Sequence, residues 1–514
     1  MKIKLENILN KLEKITYPIE FITSLFMSIL FFQLFTTKQY SGFWHKGYLI
    51  ESILLAVITI SVIIYHCIKH KDKIEKMFLN FVIPISLLFL IFMIPGQIPD
   101  ELAHMIRTYE VSEGKLFTPK DENNETTTMV PKALLKCDQN QLNKYSILKQ
   151  KIQEETNYSD RTKTVSSAQG YSFILYLFSS VGFVIGRILN LNILYGIYIG
   201  KIFNILLYLI VGYLAIKKIP FGKKLLAIYL MMPMFIHQMV SFSADVVVNM
   251  ISIYFIANLL HLLVKEDLTK KDGIIYCILT ALLGMAKMAY IPLVGIGILF
   301  ITRKNTSKKK KTIFITASII IGLIFSVGSY LDTMRCNAVT DWSKEYNERL
   351  NVSSSEQIKT ILNEPKKVVK AFYTDWTLQM PHYIEMAIGS NLGWLNIEPN
   401  RFVIMGYMIL LLAAIAYENH KYSLKLGQKL WILLIAIGTI IMIEASLYVA
   451  FTPVGAEFIG GIQGRYFIPI FILGLLCMCQ KDNYLKGKFS NTALTLISFV
   501  LNLSVLNTIY HFFI

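Results

Sequence analysis

The sequence predicts an all-α polytopic membrane protein with about thirteen transmembrane helices and two large extracytoplasmic loops. The 514-residue chain is 54% hydrophobic, too apolar for a soluble globule with a charged surface. Apolar runs of about 15 to 24 residues recur along it, the length a bilayer requires. The formal net charge of +17 sits mostly in short Lys-rich loops between those runs, where a cytoplasmic leaflet attracts it. That placement argues against a nucleic-acid partner.

The first segment, 1–95, opens with "MKIKLENILNKLEKI". It puts Leu5, Ile8, Leu9, Leu12 and Ile15 on one helical face, which suits a helix lying on the inner membrane surface or an ordinary solvated lead-in. No small-residue cleavage site follows the first apolar run, so no removable signal peptide is expected. The basic loops "KHKDKIEK" (69–76), "KKIPFGKK" (217–224), "KEDLTKKD" (265–272), "RKNTSKKKK" (303–311), "ENHKYSLKLGQK" (418–429) and "KDNYLKGK" (481–488) are all expected on the cytoplasmic side. The spans consistent with this are 17–37, 47–66, 77–95, 194–216, 222–240, 246–264, 273–286, 290–302, 312–331, 401–418, 429–451, 466–480 and 491–512. The N-terminus is then inside and the C-terminus outside.

One apolar run does not cross in this scheme. If "YSFILYLFSSVGFVIGRIL" (171–189) spanned, every later basic loop would be inverted, so it is expected to pack along the outer face. Segments 273–286 and 290–302 are short and read as a hairpin with Lys287 near its outer tip. The organisation is therefore 1–95, an extracytoplasmic loop 96–193, a transmembrane core 194–331, a second extracytoplasmic loop 332–400, and C-terminal spans 401–514. Long polar segments anchored by spans are where binding and chemistry concentrate. No repeat of fixed period is present.

Chemistry is sought first in "IPGQIPDELAHMIRTYEVSEG", which follows the third span. Asp100 and Glu101 suit the first turn of a helix entered through Pro99. Equally, an acid at the membrane–water boundary can deprotonate a hydroxyl or hold a metal that does so. Asp100, His104 and Arg107 follow i, i+4, i+7 spacing and share a face. The Asp100–His104 pair can bind a divalent ion or act as an acid–base pair, without the H-E-x-x-H arrangement of zinc enzymes. In "SFSADVVVN" (241–249), Ser243 and Asp245 either open a helix or face the first loop. Lys287, between two apolar half-helices, either snorkels outward or binds an anionic head group. Arg465 in "GGIQGRYFIP", with Tyr466 beside it, suits a phosphate or an interfacial anchor. Trp376, His382, Tyr383 and Trp394 can stack on sugar rings, or lie at the interface or in a small core.

The chain has six cysteines. Cys477-Met-Cys479 lacks the partners of a metal site and reads as packing. Cys137 and Cys336, in the two polar segments, can pair if both face an oxidising side. There is no G-x-x-x-x-G-K-[ST], no G-x-G-x-x-G before a helix and no G-x-S-x-G. A chemistry performed outside would then need an energised substrate from elsewhere than cytoplasmic nucleotides, and a lipid-linked one fits.

The ordered motifs P-D-E-x-x-H-x-x-R, S-x-S-x-D, K-x-x-Y-x-P in "KMAYIP", "GWL" and "QGRYFIP" resemble a bacterial membrane family, domain of unknown function 2142, from about residue 95 to 470. That family is grouped with GT-C-fold glycosyltransferases. The resemblance implies a GT-C-like fold in the bacterial cytoplasmic membrane. It implies a polyprenyl-phosphate or diphosphate sugar donor and transfer outside the membrane. Asp100-Glu101 matches the family's acidic pair, and 171–189 its juxtamembrane helix. The acidic motif here follows the third expected span, where the broader group has it after the first; two extra N-terminal spans account for the difference.

The expected activity is transfer of a sugar to an extracytoplasmic glycan, teichoic-acid-like polymer or lipid. Asp100 is expected as general base, with Glu101 assisting or holding a metal ion. Lys287 and Arg465 are expected on the donor phosphate. His104, Arg107, Asp245, Trp376, His382, Trp394 and Tyr466 are expected to contact or position substrate. A transporter or flippase of a lipid-linked saccharide, which should show related halves and polar groups at mid-bilayer, is the main alternative. A non-enzymatic envelope assembly protein is another.

Overall fold

A computed structural model describes residues 2–36, 43–120, 122, 125–303, 306–336, 339–418, 420–482, 484, 485 and 489–514. Positions 304, 305, 419, 483 and 486–488 of the basic loops lie outside that set, as do the side chains of the expected N-terminal face at 5, 8, 9 and 12.

The chain is mostly helical. It begins with α1 (Lys2–Thr36), α2 (Phe43–Lys69) and α3 (Ile74–Phe92). The first polar segment holds α4 (Glu101–Ser112), α5 (Lys132–Leu135), α6 (Tyr145–Gln153) and α7 (Leu177–Ile188). Its β1 (Thr128–Pro131) pairs antiparallel with β2 (Arg161–Thr164). Then come α8 (Ile193–Lys218), α9 (Lys223–Leu230), α10 (Pro233–Met239), α11 (Asp245–Val264) and α12 (Lys270–Ala286). A 3-10 segment, Met288–Thr302, leads to α13 (Lys308–Cys336). The second polar segment contains α14 (Asp341–Leu350), α15 (Ser354–Asn363), α16 (Pro365–Thr374), a π-helical turn Asp375–Gln379 and α17 (Met380–Ile388). α18 (Arg401–Ala416), α19 (Leu426–Ala450), α20 (Ile468–Met478) and α21 (Asn491–Phe513) complete the chain.

Among the described residues, eight helices are long and apolar enough to cross a membrane, lying in α1, α2, α3, α8, α11, α13, α19 and α21. The other expected spans are shorter or broken. Pro233 opens α10 and cannot continue α9, so 222–240 becomes two short helices, both buried in the bundle. The 15-residue stretch Met288–Thr302 is wound as 3-10 helix, whose rise of about 2.0 Å per residue extends it to about 30 Å. That offsets its shortness.

The run at 171–189 holds a 3-10 turn, Phe173–Leu175, and the 12-residue α7, which at about 18 Å is too short to cross. It lies along α8 and α4. Its contact with α8 depends on glycine: a Cβ at Gly182 would fall 2.2 Å from the Gly200 nitrogen. Leu177, Phe178, Ile188 and Leu189 on its other side are exposed, as an interfacial helix requires.

The basic loops meet one another. Lys223 and Lys224 N–H groups donate to Glu418 at 3.1 and 2.9 Å, and Gly222 N–H to His420 at 3.2 Å. His420 N–H donates to Lys481 O at 3.2 Å, and Asn491 Nδ2 to Lys71 O at 2.9 Å. Arg303 Nη2 donates to Lys265 O and Glu266 O, and Gln428 Nε2 to Thr302. The loop 418–429 joins both groups, so the basic loops share an end of the bundle. The Cys137–Cys336 disulfide does not form: both are buried free thiols, with Cys137 Sγ on Ala133 O and Cys336 Sγ on Gln169 O.

Candidate active site

The acidic motif is built around a backbone that only glycine allows. Gly96 has φ +83, and a Cβ there would lie 2.2 Å from Cys137 O. Its N–H donates to Glu101 Oε2 at 2.7 Å. Gln97 Nε2 donates to the Gln139 and Leu142 carbonyls at 2.8 and 2.7 Å. The turn therefore arrives at α4 rigidly fixed.

Asp100 and Glu101 have opposite environments. Glu101 is fully buried; its Oε1 accepts the Phe242 N–H at 3.2 Å and faces Lys201 Nζ at 2.9 Å. With both oxygens engaged, Glu101 ties α4 to α8 and to the turn before α11. This corrects the expectation that it shares acid–base or metal-holding work with Asp100. Asp100 occupies the N-cap position but makes no side-chain cap bond. It sits at φ +61, ψ 11, left-handed backbone that a non-glycine residue adopts at some cost. Its carboxylate is 56% exposed and 3.9 Å from Arg465 Nη2.

Arg465 is buried and also faces Asp245, with Nε 3.3 Å from Oδ2, off line for a hydrogen bond. Asp245 Oδ1 accepts from Lys287 Nζ at 2.6 Å. The Ser243 hydroxyl accepts the Asp245 N–H at 3.2 Å and shapes the turn into α11. Lys287 stands over the Tyr171 ring at 5.3 Å and the Tyr466 ring at 5.6 Å, and Arg465 over Tyr466 at 5.3 Å. Burial opposes the Lys287 charge, but Asp245 and the tyrosines hold its ammonium well above the ordinary lysine range. The pairing fits the high cost of a lone charge there.

His104 backs this cluster. Its Nδ1 is 2.8 Å from the Tyr176 hydroxyl and its ring stacks on Tyr171. Burial, then the cations Lys287 and Arg465, push it down to about 3 against the opposing pull of Asp245. It is neutral at physiological pH. Arg107, expected at the site, is instead fully buried and holds carbonyls: Tyr171, Lys115 and Leu116, at 3.3, 3.2 and 2.6 Å. Its ion pair is with Glu110 at 3.0 Å. It fixes the strand of chain that presents Tyr171.

The aromatics of the second polar segment also part from expectation. Trp376 Nε1 donates to the buried Glu444 at 2.7 Å, and Trp394 Nε1 to Gly96 O at 3.1 Å. Trp376 thus ties the second polar segment to α19, and Trp394 ties it to the turn that opens the first. His382 is exposed on a separate cleft.

Among the described residues no three His, Cys, Asp or Glu side chains are grouped to hold a metal. Asp245 already faces two cations and Asp100 faces Arg465, so the donor set does not fit a divalent ion. Of the pair expected to hold a metal, Asp100 lies beside Arg465 and His104 has its Nδ1 bonded to Tyr176.

Lys201 and Glu444 were missed from sequence although each is a lone charge inside an apolar run. An intramembrane charge demands a partner, so the signal was there. Tyr171 carried none.

An apolar groove of about 370 Å³ is lined by Tyr229, Met232, Ile388, Met408, Phe471 and Leu475 among others. Its α20 wall follows directly on the Gly464–Phe467 turn that carries Arg465.

Residues 84–473 match the family described as predicted membrane protein (DUF2142). The chain belongs to this family. The matched region takes in Asp100, His104, Asp245, Lys287 and Arg465, so the cluster lies wholly within the part common to the family. No curated protein and no solved structure matches the chain.

Proposed function

We propose that this family member is a GT-C-like membrane glycosyltransferase that moves a sugar from a polyprenyl-phosphate donor to a glycan, polymer or lipid outside the bacterial cytoplasmic membrane. About thirteen crossings, with the short segments included, put the joined basic loops and the N-terminus inside and the C-terminus outside.

The observation that carries the reading is the split between two adjacent acids. Glu101 is consumed by the scaffold, whereas Asp100 projects an accessible carboxylate from a left-handed residue toward Arg465. In this reading Asp100 takes the proton of the acceptor hydroxyl as it attacks the anomeric carbon. Arg465 and Lys287 hold the leaving phosphate and stabilise its growing charge. Asp245 positions both cations in the absence of substrate, and neutral His104 supports Tyr171 behind Lys287. The groove along α20 takes the first isoprene units.

The test is transfer from radiolabelled polyprenyl-phosphate monosaccharides to a cell-envelope fraction by the full chain in lipid nanodiscs. Wild type should transfer label and Asp100→Asn should not. Undiminished transfer by Asp100→Asn removes the assignment.

A further inference from the structure

A second cleft lies against the same cluster. Met386 and Leu395 close a small void with Arg465 on one side and wall a cleft of about 380 Å³ on the other. The cleft's polar groups are Thr374, Asp375, Gln379, His382 and Tyr383, and its apolar wall includes Phe458, Ile459 and Ile462. Asp375 opens the π-helical turn, a winding often found at functional positions. Leu395 has φ +65, a conformation that costs a bulky residue and persists where the surroundings impose it.

The chemistry at the base is specific. Asp375 is only 2% exposed. Its Oδ1 accepts the Tyr383 hydroxyl at 2.8 Å, while Oδ2 is buried with no partner. A buried acceptor left unmade is costly, so a ligand that donates to it is favoured. Burial holds this carboxyl above its ordinary value, with Tyr383 pulling the other way. The rest of the cleft is mostly apolar, with Phe458 half exposed at the rim. A lipid chain would fit the wall but leave Oδ2 unpartnered. A neutral saccharide supplies both a hydroxyl donor and C–H faces.

We infer that the cleft between the Asp375–Gln379 turn and the 458–462 loop binds a neutral carbohydrate, with Asp375 Oδ2 accepting a ring hydroxyl and Phe458 packing on the ring face. Naming this sugar the acceptor rests on the function proposed above; the binding does not. The cleft is rigidly tied to Arg465, since Gly464 packs on Tyr383 and Met386 so closely that a Cβ would lie 2.3 Å from Tyr383 O.

The experiment is saturation-transfer NMR on the full chain in nanodiscs with neutral trisaccharides of glucose, mannose, galactose and N-acetylglucosamine. At least one should bind, and Phe458→Ala and Asp375→Asn should each weaken it about tenfold or more. Phe458 is at the rim, so its variant keeps the fold and decides the matter if Asp375→Asn does not fold. Binding is measured with no lipid-linked donor present, which separates this site from the transfer reading. No binding by any of the four, equal binding by wild type and Phe458→Ala, or capture of phospholipid by a benzophenone placed at Leu395 overturns the inference.

Discussion

Lys201 Nζ lies 2.9 Å from Glu101 Oε1, with both side chains fully buried. The pair joins the start of α4 to the middle of α8. Removing one partner strands a buried charge, a loss of about 3–5 kcal/mol. Glu101→Gln should therefore lower the unfolding temperature of the detergent-solubilised chain markedly, and Glu101→Gln with Lys201→Met should recover most of it. A Glu101→Gln protein that melts like wild type yet is inactive would return this residue to the chemistry.

Asp100 answers to the opposite expectation. It is exposed and makes no cap bond, so Asp100→Asn should leave the unfolding temperature unchanged. Loss of a general base should lower the transfer rate by about 10²–10⁴-fold. Asp100→Gly should be as inactive but slightly more stable, because glycine relieves the left-handed backbone. Melting curves and initial rates on the same preparations separate the two effects.

The sequence made the helical membrane architecture legible because apolar run length and basic loops obey strong rules. It also brought Asp100, Asp245, Lys287 and Arg465 forward as candidates, and these four do meet. What it could not resolve was which polar residues were already spent. Arg107 and Glu101 look as reactive in sequence as Asp100, and only packing shows their atoms taken by backbone groups and Lys201. Trp376 and Trp394 stayed ambiguous for the same reason, since an indole that clamps a loop reads like one that stacks on sugar. The shortness of 290–302 was visible, but its 3-10 winding depends on neighbours such as α19, whose Trp431 donates to Gly295 O at 2.9 Å.

Lys287 contributes through charge and should respond to its removal in two ways. Lys287→Met leaves Asp245 with Arg465 as its remaining ion partner among the described residues. It should also raise KM for the polyprenyl-phosphate donor more than it lowers kcat, because a phosphate contact acts on binding first. Lys287→Arg should keep the charge and restore part of the affinity. Equal KM in wild type and Lys287→Met would remove it from the donor site.

His104 makes stability depend on pH in a stated direction. Its folded value of about 3 lies below the unfolded value of about 6.5. Between these the unfolded chain binds a proton that the folded chain refuses, so stability is lost as pH falls from about 6.5 toward 3. His104→Gln should flatten that part of the stability–pH curve. Transfer rate above about pH 5 should show no titration from His104, because it is already neutral there. An inflection near pH 6 that disappears in His104→Gln would contradict its neutrality.

The α7–α8 contact gives the last prediction. Gly182 Cβ would meet the Gly200 nitrogen at 2.2 Å and Gly196 O at 2.3 Å, and backbone cannot step aside as a side chain can. Gly182→Ala should force α7 away from α8 and destabilise the chain by about 1–3 kcal/mol. Because α7 also packs on α4, the shift should reach the acidic motif and lower activity without touching any residue of the cluster. Gly186→Ala meets mainly the Tyr158 hydroxyl at 2.9 Å, the end of a rotatable side chain, so it should cost less. Unfolding temperatures of the two variants in one detergent check the order, and a larger loss in Gly186→Ala would show that the glycine crossing is not what seats α7.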